Sequence, residues 1–141
     1  MISATSNPLC FSKPSSYTLS MGLRHPTSTS FKYAFEGIKT AFKREPNFRI
    51  HVLLAILVLI LAGVLKFNII EWLILAFTIT FVITLELLNT VLEAVVNLTS
   101  PDISPEAKVA KDVSAGMVLV VSILAVVAGL VLFVPKILSY F

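Results

Sequence analysis

Charge is what this chain has little of. Only 13% of its 141 residues are Asp, Glu, Lys or Arg, whereas a soluble domain carries about 25%. Hydrophobic residues make up 57% and the mean hydropathy is +0.93. A soluble core of this size cannot hide that apolar excess, so the chain belongs in a bilayer. Cysteine is nearly absent too: Cys10 stands alone, which excludes an intrachain disulfide and a Cys-based metal site. Residues 1–30 contain no acidic residue, a composition shared with organelle transit peptides, and they lack the apolar h-region of a secretory signal. No internal repeat is visible, and the length bounds the chain to one compact domain at most. Five of the 11 basic residues (Lys32, Lys39, Lys43, Arg44, Arg49) gather before the first long apolar run. No recognised nucleic-acid motif accompanies them, so nucleic acid is not an expected partner.

Residues 1–30 are rich in Ser, Thr, Pro and Asn. They read as a disordered extension, with a transit peptide or a true start at Met21 as the alternatives. The rest, 31–141, reads as a membrane domain. From Phe31 to Arg44, apolar Phe31, Ala34, Phe35, Ile38, Ala41 and Phe42 form one helical stripe, with Lys32, Glu36, Lys39 and Lys43 off it. Ser30 is the expected N-cap. A basic helix with an aromatic face lies in the membrane surface. Glu45-Pro46 then breaks it, because the residue before proline disfavours helix.

Three spans follow, at about 47–66, 71–97 and 106–134. The charge-free core of the first is only Val52–Leu65, shorter than the ~20 residues a span requires. Arg49, His51 and Lys66 are therefore expected to snorkel. The second opens at Glu71-Trp72, with Trp72 as an interface anchor. Val113–Val134 has no charge at all and is the clearest span, preceded by a loop ending in Lys111-Asp112 and ended by Pro135-Lys136. The basic cluster places the surface helix on the cytoplasmic side. The turn at 67–70 then lies outside and the loop at 100–112 inside. Thr78, Thr80 and Thr84 are expected to bond between helices.

Within the second span, Glu86, Asn89, Thr90, Glu93 and Asn97 fall on one side of a helix otherwise made of Leu, Val and Ala. Glu86 and Glu93 are two turns apart, about 10 Å along the axis. Carboxylates at this depth are costly, which makes a functional reading the default. Counting from Trp72, Glu86 lies inside the hydrocarbon near its cytoplasmic side, and Glu93 lies at the headgroup boundary. Oxygen ligands without His or Cys suit Mg²⁺, which takes one or two carboxylates and leaves other positions for water and phosphate. Glu93 can therefore meet water-borne Mg-ATP, while Glu86 can meet a hydroxyl carried by a lipid. Phosphoryl transfer between those two phases would be mainly positioning and charge neutralisation.

The run from Glu86 to Asn97, ELLNTVLEAVVN, resembles the signature helix of the prokaryotic diacylglycerol kinase/undecaprenol kinase family. FKYAFEG at 31–37, EPNFRIH at 45–51 and AKDVSAG at 110–116 are similar to its flanking motifs, so the resemblance covers roughly Phe31 to Val134. It implies an all-α integral membrane fold, a surface helix plus three transmembrane helices, assembled as a homotrimer with sites between protomers. It implies an inner- or plasma-membrane lipid kinase whose N-terminus and site face the cytoplasm. By the same resemblance Glu86 is the catalytic base, and Glu45 and Glu93 ligand Mg²⁺. Asn89 supports the site, as does Asn97. Tyr33, Glu45, Glu93, Lys111 and Asp112 contact ATP, with residues near Asp102–Ser104 as further candidates.

Two positions depart from the family pattern: Asn97 stands where Asp is usual, and Val91 where Ser or Ala is usual. The FRIH and SAG wording resembles the Gram-positive and cyanobacterial branch, so the acceptor stays open between diacylglycerol and undecaprenol. Two other classes compete. One is a small transport or proton-relay protein, disfavoured because the first and third spans carry no ionisable residue at their centres. The other is an inactive assembly protein, supported only by Asn97.

Overall fold

The computed structural model describes residues 27–99 and 104–139. These form four helices: α1 (Thr27–Arg44), α2 (Pro46–Val64), α3 (Ile69–Thr99) and α4 (Pro105–Leu138). No strand occurs among the described residues. The last three are long and apolar enough to cross a bilayer. At 1.5 Å per residue, the 19 residues of α2 run about 28 Å, close to the ~30 Å hydrocarbon core. The 31 residues of α3 and the 34 of α4 run about 46 and 51 Å, long enough to extend beyond it.

The break between α1 and α2 is one residue long. Glu45 is extended (φ −100°, ψ 111°) and Pro46 opens α2, where a missing N–H costs nothing. The Glu45 side chain makes no capping hydrogen bond, so its carboxylate is not engaged by the helix end. Ala41 and Phe48 are buried at this elbow, and Phe48 meets Phe42 edge-on with ring centroids 6.4 Å apart.

α2 ends in a Schellman motif. Phe67 N–H donates to the Ala62 carbonyl and Lys66 N–H to that of Gly63, each at 3.2 Å. Lys66, not glycine, occupies the left-handed position, with φ 50°. Asn68 then caps α3: its Oδ1 accepts from Ile70 N at 2.9 Å and Glu71 N at 3.0 Å, while Glu71 Oε2 accepts from Asn68 N at 2.7 Å. This reciprocal capping box starts α3 at Ile69, two residues before the expected Glu71.

α3 and α4 form the main packed pair, α2 lies along α3, and α1 touches α2 and α3. The apolar core sits at the end away from Glu86, where Ala62, Leu65, Phe67, Leu75 and Phe133 close together. Phe67 lies 4.8 Å from Phe133 between ring centroids. Lys136 bridges to Glu71 at 3.0 Å and stands over the Phe67 ring. The buried polar side chains, Glu86, Asn89 and Ser114, lie toward the other end.

Several boundaries correct the sequence-based ones. α1 begins at Thr27, which puts Ser30 inside the helix and not at its cap. Residues 1–26 lie outside the described residues. α4 begins at Pro105 with Ser104 as N-cap, its Oγ accepting from Ala107 N at 3.1 Å, so Lys111 and Asp112 are helical and not in a loop. Nor does Pro135 end α4, which runs on to Leu138. Without its N–H a proline cannot donate to the turn before it, yet its carbonyl still accepts, here from Ser139 N at 3.1 Å. Thr78 bonds back to the Ile74 carbonyl of its own helix at 2.8 Å instead of crossing to a neighbour.

Candidate active site

The polar stripe of α3 faces inward. Glu86 is 2% exposed and Asn89 7%, whereas Leu88 and Val91 on the same turns are open. Placing a carboxylate there in a bilayer-spanning helix requires compensation that a solvated side chain would not need. The compensation is partial. No described residue donates a hydrogen bond to Glu86 Oε2. Its local helix is otherwise tied down: Thr90 Oγ1 donates to the Glu86 carbonyl at 3.1 Å, which holds the threonine hydroxyl away from the carboxylate.

One turn further, Asn89 connects the stripe to both neighbours. Its Nδ2 donates to Glu93 Oε1 at 3.2 Å, an i, i+4 contact on the same face. Its Oδ1 accepts from Ser114 Oγ on α4 at 2.7 Å. The same hydroxyl lies 2.9 Å from the Lys111 carbonyl. Lys111 Nζ in turn donates to Asn97 Oδ1 at 2.6 Å. Two rungs therefore join α3 to α4, one buried through Ser114 and one exposed through Lys111.

The elbow before α2 carries Glu45, and half-buried His51 follows in the first turns of α2. Glu86 and Glu93 share one face of α3, while Glu45 stands at the elbow between α1 and α2. Lys111 and Asn97 join at the rim. Asp112 is exposed on α4 and Tyr33 is 54% exposed on α1, so neither shares the buried cluster. Asp102 lies outside the described residues, and Ser104 serves as the α4 cap.

Two neighbours were not anticipated. His51, expected to snorkel, is half-buried and lines an apolar groove. Ser114 is 1% exposed, among the most enclosed side chains of the chain. The available signal was its place one turn after Lys111, which puts both on one face of α4.

Among the described residues no three His, Cys, Asp or Glu side chains come close enough to hold a metal unaided. A closed structural site is thus not built. An Mg²⁺ held by one or two carboxylates, with phosphate and water as its other ligands, fits Glu45 and Glu93, whose donors are all oxygen. Beside the cluster an apolar groove of about 490 Å³ runs between α2, α3 and α4, lined by Leu54, Val58, Val82, Ala125 and Gly129, with His51 at its polar end.

Comparison with known proteins gives a consistent set of relatives. Residues 32–133 match the family described as prokaryotic diacylglycerol kinase. A diacylglycerol kinase of Synechocystis sp. is 45% identical over 111 residues, 78% of this chain and 63% of that protein. The chain therefore spans somewhat less than two thirds of that relative's length. An undecaprenol kinase of Bacillus subtilis is 40% identical over 107 residues, 76% of this chain and 87% of that one. A diacylglycerol kinase of Haemophilus influenzae is 34% identical over 113 residues, covering 79% and 95%.

Proposed function

The chain belongs to the prokaryotic diacylglycerol kinase family, and on that premise we propose that it transfers the γ-phosphoryl group of ATP to the hydroxyl of a membrane lipid. The observation that carries this reading is the Glu86 carboxylate, buried at 2% exposure with Oε2 unpartnered among the described residues, two turns along the same α3 face from Glu93. A buried acceptor of that kind suits an O–H donor that arrives from the lipid phase.

In this mechanism Glu86 receives the proton of the acceptor hydroxyl as its oxygen attacks the γ-phosphorus. The bond from that phosphorus to the bridging oxygen breaks, and ADP leaves. Glu45 and Glu93 would hold Mg²⁺, which would supply charge neutralisation at the phosphates. Asn89 orients Glu93, and Lys111 faces the nucleotide from the rim, with Asp112 and Tyr33 approaching from outside the cluster. The apolar groove beside His51 takes hydrocarbon of the acceptor. Diacylglycerol and undecaprenol are the two acceptors suggested by the named relatives.

The protein resides in the cell membrane with the site on the cytoplasmic side, supported by the basic residues of α1 and the elbow. It works as a homotrimer. In support, most apolar side chains of the three spans remain open in the single chain. Reconstituted protein supplied with radiolabelled Mg-ATP should label diacylglycerol or undecaprenol when each is offered separately. Absence of label in both, and in short-chain alcohols, would end the reading.

A further inference from the structure

We infer that Ser114 is a positioning residue for the metal-holding carboxylate, acting through Asn89; this rests on the kinase reading above. The geometry leaves the hydroxyl little choice. The Asn89 amide presents Nδ2 to Glu93 Oε1, at 3.2 Å. That orientation turns Oδ1 toward α4, where Ser114 Oγ stands 2.7 Å away. The serine has one proton and two acceptors in reach, the other being the Lys111 carbonyl at 2.9 Å, but two oxygens 2.7 Å apart with no proton between them would repel. The proton therefore points at Asn89.

Enclosure makes the contact matter. Ser114 is 1% exposed and Asn89 7%, so water cannot replace either partner. The result is a directed chain from Ser114 through Asn89 to Glu93, and it fixes which face of the Glu93 carboxylate remains for a cation. Ser114 touches neither substrate nor the reacting atoms in this scheme. Its effect should fall on metal and nucleotide, not on the lipid.

The test uses full-length protein in detergent and the binding of Mg²⁺ with a non-hydrolysable ATP analogue, measured calorimetrically. S114A should weaken that binding about tenfold, the scale of losing a residue that orients a metal ligand. It should raise KM for ATP in parallel and leave KM for the lipid acceptor unchanged. S114T, which keeps the hydroxyl, should bind within about threefold of wild type. V121A, a truncation of another buried α4 residue away from the site, controls for packing: it should lower thermal stability without weakening the nucleotide. S114A binding as wild type does, or V121A weakening binding as much as S114A, overturns the assignment. A wild-type protein that binds the nucleotide but phosphorylates no lipid removes the underlying reading instead, so the two failures are distinguishable.

Discussion

Lys111 Nζ lies 2.6 Å from Asn97 Oδ1, which ties the first turns of α4 to the last turns of α3 through a charge and a neutral amide. An aspartate at position 97 would turn this contact into an ion pair. Because Asn97 is exposed, that pair gains only about 0.2–1 kcal/mol. N97D should therefore change activity by no more than about fivefold, with the change shrinking as salt is raised. N97A should raise KM for ATP and leave the lipid KM alone. Steady-state kinetics at two ionic strengths check both.

Glu86 supplies the sharpest contrast between stability and activity. E86Q should lower kcat by about a hundredfold or more, the range of a lost general base, with nucleotide binding largely kept. E86M should be as inactive, yet melt at a higher temperature than wild type, because it removes a buried carboxylate that lacks a full set of partners. Thermal unfolding in detergent beside the kinase assay reads both effects. An active E86Q enzyme would refute the base assignment.

Glu93 and Glu45 should behave as a pair distinct from Glu86. E93Q is expected to raise the half-saturating Mg²⁺ concentration at least about tenfold. E45Q should do the same without loss of fold, since the Glu45 side chain makes no capping bond. A magnesium titration of the kinase rate separates them from E86Q, whose metal dependence should stay near that of wild type.

Lys66 holds a left-handed conformation that costs a residue with a Cβ about 1–2 kcal/mol. K66G should stabilise the protein by about 1 kcal/mol and leave activity unchanged. A melting point that falls would show that Lys66 makes contacts outweighing its strain.

At the end remote from Glu86, Glu71 both closes the capping box with Asn68 and meets Lys136. K136M should cost about 1 kcal/mol or less, because the pair is partly exposed. E71A should cost more, since the Asn68 N–H loses its acceptor as well. Neither should alter KM for ATP at a temperature where both variants are folded.

Chain order alone settled a good deal. The spacing of Glu86, Asn89, Thr90, Glu93 and Asn97 places them on one helical face in any fold that makes the segment helical, because 3.6 residues per turn is a local property. Hydropathy likewise demanded three spans, and Glu45-Pro46 demanded a break. Helix ends were read less well: Asn68, Ser104 and Pro135 act through side-chain and carbonyl contacts that periodicity does not register. What tertiary packing decided is which partners the stripe has. Ser114 is 25 residues from Asn89 and Lys111 is 14 from Asn97, while Glu45 comes from the elbow and His51 from α2. No local rule sets the rotation of α4 against α3, or the approach of the elbow to Glu86. Those follow from burying the far-end cluster of Phe67, Leu75 and Phe133, which sets how the helices are packed and so brings the polar groups at the opposite end into register.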